Sequence, residues 1–426
     1  MTLDPLPEAR LDRGAKDWRS ILQAVLSFMA ATILLGQGSI TILLGVFNTA
    51  MPDLMVADLG MRVTLGMVSC VLGLLIIPSG LTAIYRLRDQ PAPHWLTFGS
   101  PPKQDFLILL IAMLPVVIIM GWLAARSEAL SPFLLPIAGI FGICIPILCL
   151  LNFGQRGLKG GSDQRKWGLL GLSLTFTTGL IVLVEVLALL AGLVVFVVWL
   201  SLNIEMYDFV RSIGNQITQA RGDMDAVVRI LLPYLRKPVV IFWILIAVSV
   251  ITPLIEEVLK TLGVWLFMKR KLTPAEGYVA GMICGAGFAL VEGLFNLAGA
   301  ATPEDWVGLV IGRAGGSLLH VFTGGLIGWG LADTWRSGKF KKYLQVFWGA
   351  FIIHGLWNAL AVGAVLFPIM LFGDETLIGG QSLLFFLPTL LLGIAVLVIF
   401  IFFTHWVRRK YGKAAESALS PVESGN

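Results

Sequence analysis

Ten long apolar runs decide what this chain can fold into. They lie near residues 21–46, 63–85, 106–125, 132–151, 169–201, 239–267, 277–297, 307–331, 344–370 and 383–404. A helix needs about 20 apolar residues to cross the hydrocarbon core of a bilayer, and each run reaches that length. Only 13% of the residues are charged, where soluble domains carry about 25%. We therefore predict an all-α fold, a polytopic integral membrane bundle of about ten transmembrane helices.

Two features of the hydrophobic pattern depart from simple spans. The first, fifth and sixth runs are longer than one untilted span requires, which indicates a re-entrant piece or a strongly tilted helix. Residues 203–237 carry several arginines, and their apolar residues recur at helical spacing. We predict that this segment forms amphipathic helices in the membrane interface.

Charged residues outside the spans indicate the orientation of the chain. Cytoplasmic segments carry an excess of Lys and Arg. The first nineteen residues mix both charge signs, and we predict that they form a cytoplasmic tail. They contain Asp4, Glu8, Arg10, Asp12, Arg13, Lys16, Asp17 and Arg19. The other tail contains Arg408, Arg409, Lys410 and Lys413. An even number of spans puts both tails on one side, so we expect both termini in the cytoplasm. The basic clusters between the spans do not all fall on the side of the membrane that strict alternation of ten spans would give. The number of spans therefore stays open near 203–237.

Three charged residues lie inside the sixth run, within ITPLIEEVLKTLGVW at 251–265. Each charged side chain near the bilayer centre costs about 2.5–3.5 kcal/mol on insertion scales. Glu256 and Lys260 stand at i and i+4, which favours an ion pair, while Glu257 points about 100° round the helix. Pro253 frees backbone carbonyls upstream, a device tolerated where the backbone lines a cavity.

Polar residues at helical spacing follow in the next three runs. They are Phe288, Glu292 and Asn296 in the seventh run, His320 in the eighth, and His354 and Asn358 in the ninth. Glycines between these groups let helix backbones approach closely. We expect the four helices to bring these side chains and the glutamates into one intramembrane pocket.

A carboxylate beside an imidazole can activate a water for attack on a carbonyl, and a further donor can stabilise the oxyanion. In one assignment Glu257 is the base and the lysine holds Glu256; the reverse is equally compatible with the spacing. His320 or His354 would polarise the water or the carbonyl, and Asn358 would donate to the oxyanion.

The same residue types favour other interpretations. Two His and one Glu are the protein ligands of many catalytic zinc sites, so Glu257, His320 and His354 are a candidate zinc set beside the metal-free alternative. A proton- or ion-coupled transporter would use the Glu, Lys and His side chains as a relay. A scaffold that binds other membrane proteins is a third hypothesis. The sequence has no convincing internal repeat, which disfavours a transporter built from inverted halves.

Four short motifs occur in order on successive apolar runs: EEVLK, FALVE with Asn296 following, HVFTGGLIG and HGLWN. Together they resemble the PrsW family of intramembrane proteases, over about residues 238–365. This family is related to the CAAX-processing and bacteriocin-processing membrane proteases. The resemblance implies an endopeptidase that cuts membrane-embedded or membrane-proximal proteins, in one known setting an anti-sigma factor.

The resemblance also implies which residues act. The matched positions are the paired glutamates Glu256 and Glu257, the basic Lys260, the acidic Glu292, the histidines His320 and His354, and Asn358 at the end of the last motif. In the CAAX relatives the second motif ends in His rather than Glu. Their catalytic machinery therefore cannot be copied to this chain unchanged.

The expected organisation combines the spans and the motifs. It is a cytoplasmic tail at 1–20, a transmembrane bundle of unknown role at 21–202, the amphipathic interfacial segment at 203–237, a protease-like core at 238–370, a last transmembrane helix at 371–410 and a cytoplasmic tail at 411–426. The expected partners are the lipid bilayer and a membrane protein or peptide substrate, in a bacterial plasma membrane. The net charge of +5 is accounted for by loops and tails, so we expect no nucleic acid partner.

Overall fold

A computed structural model of the chain describes residues 17–48, 56–99, 104–220, 224–270, 272–299, 303–372 and 383–412. Within these ranges every regular element is helical and there is no β-strand, so the predicted all-α fold is confirmed. Residues 1–16 and 413–426 of the predicted tails lie outside the described residues. So does the segment 373–382, which comes just after the predicted boundary at 371.

The α-helices of the described part are named in chain order. They are α1 (Trp18–Asn48), α2 (Val56–Leu87), α3 (Gln104–Ala125), α4 (Ser131–Gln155), α5 (Asp163–Leu172), α6 (Thr178–Ser201), α7 (Ile204–Gln219), α8 (Met224–Leu235), α9 (Pro238–Ile246), α10 (Thr252–Leu259), α11 (Leu262–Trp265), α12 (Pro274–Asn296), α13 (Pro303–Ser337), α14 (Phe340–Phe372) and α15 (Leu383–Val407).

Ten helical segments of the described chain are long and apolar enough to cross a membrane. They begin with Trp18–Phe47, end with Leu384–Gly412, and coincide with the ten predicted runs. The protein is therefore an integral membrane protein with a polytopic helical bundle. The side of the membrane on which each terminus lies stays a prediction.

The fifth and sixth runs each contain a wide helical turn. Ser173–Thr177 between α5 and α6, and Ala247–Ile251 between α9 and α10, are π-helical. In a π-helix each N–H bonds to the carbonyl five residues back, and single π turns inside α-helices are frequent at functional sites. The helical chain runs through both wide turns, and the fifth segment is continuous over Asp163–Trp199.

The chain divides into two compact units, and the predicted domain boundaries stay predictions. The first unit consists of Met1–Gly142, Gly161–Leu174 and Val291–Val310. Within it a polar network joins α1 to α2 and α5. Gln23 Nε2 donates to the Ser79 carbonyl (3.1 Å), and Gln164 Nε2 donates to the Ser20 hydroxyl (2.8 Å).

The second unit consists of Ile143–Gly160, Thr175–Leu290 and Ile311–Asn426, and glycines set the spacing of two of its helices. A Cβ at Gly281 of α12 would meet the carbonyl oxygen of Gly324 on α13, and a Cβ at Gly285 would meet that of His320. Such small residues let helix backbones come into direct contact. The backbone at His320 is therefore fixed by α12.

Two helices form in the segment predicted to be amphipathic. The rings of Phe209 on α7 and Tyr234 on α8 meet edge to face with centroids 5.3 Å apart, and the Lys237 ammonium lies 5.5 Å and 5.3 Å from the two ring centroids. These contacts hold α7 and α8 together beside the start of α9. Their location in the membrane interface stays a prediction.

Candidate active site

The second unit contains three buried ionisable side chains on one short helix, α10, and its C-terminal cap. Glu256 is 5% exposed, and Glu257 and Lys260 are 0% exposed. The helix begins directly after the π-helical turn and has Pro253 in its first turn, where the missing N–H of proline is tolerated. Leu254 and Val258 are exposed on another face of α10. One side of this helix therefore carries charge and another is apolar.

Lys260 is the partner of Glu257. Its Nζ contacts Glu257 Oε1 and donates to the hydroxyl of Thr323 on α13 (2.6 Å). The Thr323 hydroxyl in turn donates to Glu257 Oε1 (3.2 Å). Both i+3 and i+4 spacings bring helical side chains together, and here Thr323 favours the i+3 pair. Of the two assignments that the sequence left open, the structure forms the one in which Lys260 holds Glu257.

His354 of α14 joins the two glutamates. Its Nδ1 lies 2.7 Å from Glu257 Oε1, and its Nε2 lies 3.5 Å from Glu256 Oε2. The Glu257 carboxylate, paired with an ammonium group, only accepts hydrogen bonds, so Nδ1 carries the proton of this contact. A neutral His354 then turns its Nε2 lone pair toward the Glu256 carboxylate. Two acceptors facing each other are satisfied by a proton or a metal cation between them.

His320 of α13 completes the cluster around Glu256. Its Nδ1 lies 3.9 Å from Glu256 Oε2, and its ring meets that of His354 edge to face with centroids 5.0 Å apart. Phe288 of α12 packs edge to face on the His320 ring at 4.9 Å. Phe288, a predicted supporting residue, thus forms an apolar wall that orients the imidazole.

Glu256, His320 and His354 are a donor set that fits zinc. Each is buried and offers one ligand atom, and these atoms all lie within 4.8 Å of one another. Tetrahedral zinc with bonds of about 2.0–2.1 Å separates its ligand atoms by about 3.3–3.5 Å. The distance of 3.5 Å from Glu256 Oε2 to His354 Nε2 agrees with this spacing. His320 Nδ1 lies 3.9 Å from the same oxygen, so this imidazole would move closer to bind the same ion.

The carboxylate of this set differs from the one that the sequence analysis named. Glu257 was the candidate ligand, but its Oε1 faces Lys260, Thr323 and His354 Nδ1. Glu257 therefore lies behind His354, in the position of a carboxylate that orients a ligating imidazole. Glu256 stands beside both imidazoles instead. The difference arises because the partners of each glutamate come from α13 and α14, which spacing within α10 does not reveal.

Asn358 lies one turn beyond His354 and contacts the backbone of another helix. Its Nδ2 donates to the carbonyl oxygen of Val248 in the π-helical turn (2.8 Å). The sequence analysis expected this amide to donate to a substrate oxyanion. The contact observed is with the helix that carries the two glutamates.

Glu292 and Asn296 occupy the last turns of α12, within the segment Val291–Val310 of the first unit. Glu292 is half-buried and Asn296 is exposed. They lie one and two turns beyond Phe288 along the helix, as the spacing predicts. Their predicted supporting roles stay predictions.

Thr323 is the residue of this cluster that sequence reasoning missed. It is fully buried and lies three residues after His320, in the motif HVFTGGLIG. Residues at i and i+3 share a helix face, so any residue three after a candidate histidine also faces the site. The i, i+3 spacing from His320 was therefore the sequence signal that could have identified Thr323.

A known protein family matches the part of the chain that contains this cluster. The sequence profile of the PrsW family intramembrane metalloproteases matches residues 172–392, slightly more than half of the chain. No curated protein and no solved structure matches the chain. The matched region contains Glu256, Glu257, His320 and His354, which the fold brings together inside the membrane-spanning helices. The chain therefore belongs to the PrsW family of intramembrane metalloproteases.

Proposed function

We propose that the protein hydrolyses peptide bonds of membrane-embedded or membrane-proximal protein substrates at the cluster of Glu256, His320 and His354. The convergence of these three buried side chains from α10, α13 and α14 supports the proposal. A carboxylate and two imidazoles are expensive to bury in a bilayer, and such residues are retained mainly for function.

The proposed resident metal is zinc, held by Glu256, His320 and His354. When bound, zinc supplies a Lewis acid that polarises the peptide carbonyl and makes water a better nucleophile at neutral pH. Neighbouring side chains orient the two imidazole ligands. Phe288 orients the His320 ring, and Glu257 orients His354 through Nδ1. Lys260 and Thr323 in turn fix Glu257.

In the metal-free alternative, where Glu256 does not hold a zinc ion, we assign proton transfer to Glu256. Glu257 is committed to Lys260, Thr323 and His354, whereas Glu256 faces both imidazoles. Its carboxylate takes the proton of the attacking water and returns it to the amide nitrogen that leaves, as a general base and then a general acid. The buried position strengthens these electrostatic contacts because bulk water is excluded.

Substrates are proposed to reach the site within the bilayer. Leu254 and Val258 on α10, and Ile352 and Leu356 on α14, are exposed, although the same helices carry the site on another face. A transmembrane segment of another protein fits such an apolar surface. The resemblance to the PrsW family makes an anti-sigma factor one candidate substrate of this kind.

The deciding experiment compares membranes from cells that express wild-type protein, Glu256→Gln or Glu185→Gln at matched levels. New termini on membrane proteins are mapped by mass spectrometry. Glu185→Gln is the matched control, because it makes the same change in another membrane-spanning helix, α6. We expect termini that appear with wild type and the control and vanish with Glu256→Gln. Identical maps for all three folded proteins would refute proteolysis at this cluster and direct attention to proton flux in liposomes.

The metal is tested separately on purified protein. Zinc bound per chain is measured after equilibration with a small excess of zinc and removal of the unbound ion, for wild type, His320→Gln and His405→Gln. We expect one zinc per chain in wild type and in the His405 control, whose ring lies beside Phe153, and a strong loss in His320→Gln. Equal zinc content in all three proteins would refute the proposed ligand set.

A further inference from the structure

The π-helical turn before α10 leaves one backbone carbonyl without its helical donor. In this turn the Thr252 N–H donates to the Ala247 carbonyl, five residues back. In the same register the next bond would run from residue 253 to the carbonyl of Val248. Residue 253 is proline, which has no N–H.

Asn358 supplies the donor that the proline lacks. Its Nδ2 lies 2.8 Å from the Val248 carbonyl oxygen. One turn earlier on α14, Gly355 lies against the backbone of the same π-helical turn, where a Cβ would meet the Ser249 carbonyl oxygen. The glycine and the asparagine of the HGLWN motif therefore both seat α14 on this turn.

The contact matters because the bilayer offers no water to replace it. A backbone carbonyl in hydrocarbon must be satisfied within the protein, and neighbouring helices commonly do this where proline interrupts a transmembrane helix. The turn also sets the direction of the glutamates. Each residue added to a helix rotates the side chains after it by about 100°, so the extra residue of a π turn decides which way Glu256 and Glu257 face.

We infer that Asn358 is a positioning residue that replaces the missing N–H of Pro253 and thereby fixes the π-helical turn that aims Glu256 at the two histidines. This inference rests on the proposed function only for its effect on catalysis. The hydrogen bond and its coupling to Pro253 concern the fold itself. A direct role of Asn358 as a donor to the substrate oxyanion is the competing explanation.

A double-mutant cycle separates the two explanations. The proteins are wild type, Asn358→Ala, Pro253→Ala and the double variant, because the Pro253→Ala change restores an N–H that can donate to the Val248 carbonyl. We expect Asn358→Ala alone to lower the thermal unfolding midpoint by several degrees and cleavage by about fivefold or more. When Pro253→Ala is already present, the same substitution should cost less than half as much in both measurements.

The controls keep the inference open to refutation. Pro388→Ala removes a proline inside α15, and its combination with Asn358→Ala should be additive. Asn358→Leu, which keeps a similar volume without a donor, replaces the alanine variant if that protein does not fold. Equal costs of the Asn358 substitution with and without Pro253→Ala would overturn the inference. If no cleavage is found in any protein, the proposed function fails, while the unfolding midpoints still decide whether the two residues are coupled.

Discussion

Lys260 is a fully buried ammonium group in a membrane-spanning segment, and its charge is balanced by Glu257. A buried pair of this kind is costly to break from one side, because the remaining charge has no counter-charge and no water. Removing both charges together avoids that penalty. The pair is therefore one unit that should be tested as one.

We expect Lys260→Met to destabilise the fold by about 3–5 kcal/mol, since it leaves the buried Glu257 carboxylate without its lysine counter-charge and with only its contacts to Thr323 and His354. The double variant Lys260→Met/Glu257→Gln should recover part of the loss. Thermal unfolding in detergent, followed by tryptophan fluorescence, measures both. The control is Lys342→Met, whose partner Asp333 lies in a partly exposed pair worth about 0–1 kcal/mol. A double variant less stable than Lys260→Met would contradict the pairing.

Thr323 links Lys260 to Glu257 through one hydroxyl that accepts from the first and donates to the second. We expect Thr323→Val to weaken zinc binding and cleavage by about 10–100-fold, the usual effect of losing a group that orients a ligand. Thr323→Ser should restore most of both. Thr82→Val, which removes a hydroxyl bonded to the Pro78 carbonyl of its own helix (2.9 Å), is the matched control. A serine variant as defective as the valine variant would argue for packing instead.

The residues of this site were predictable by type and by helix, but their partners were not. Spacing places Glu256, Glu257 and Lys260 within reach of one another, and it permits either glutamate to be the partner of Lys260. The choice depends on Thr323 and His354, which are far away in sequence. Spacing also singled out Asn358, which lies one turn after His354. Its contact with Val248, however, depends on a backbone register that side-chain patterns do not encode.

At the scale of the helices, the spans were predictable because length and hydrophobicity decide them, as the ten segments confirm for the described chain. The π-helical turns were not, because a wide turn changes neither hydrophobicity nor length. Pro253 gave a partial signal, since it predicts a disturbed helix but does not say which hydrogen-bond register the chain adopts.

The glycine-lined interface between α12 and α13 offers a test at the scale of the helices. We expect Gly285→Ala to reduce cleavage and stability, because the new methyl group would meet the His320 carbonyl oxygen and push the two helices apart. Gly312→Ala on α13 has open space around it and should leave stability unchanged or raise it by about 0.5–1 kcal/mol. Unfolding midpoints and cleavage rates of the two variants make the comparison. If the two variants have equal stability and activity, the close approach of α12 and α13 is not required.

At the scale of the whole molecule, two helices that carry the site, α10 and α14, also present exposed apolar faces. A helix with its side chains is only about 10–12 Å wide, so one helical layer separates the reacting groups from the outer surface of these helices. A substrate that arrives from this side never passes through water. Its encounter with the enzyme is a collision in two dimensions.

The number of substrate molecules per lipid molecule then determines the turnover rate. The volume of the suspension has no effect on it. We expect the cleavage rate per enzyme molecule in proteoliposomes to fall when extra lipid is incorporated at fixed amounts of enzyme and substrate. The same rate should stay constant when the suspension is diluted with buffer. A rate that follows buffer volume would mean that substrates enter from water. For an enzyme of this kind, a cell can change the rate of proteolysis by altering the area of its membrane, with no change in the amount of either protein.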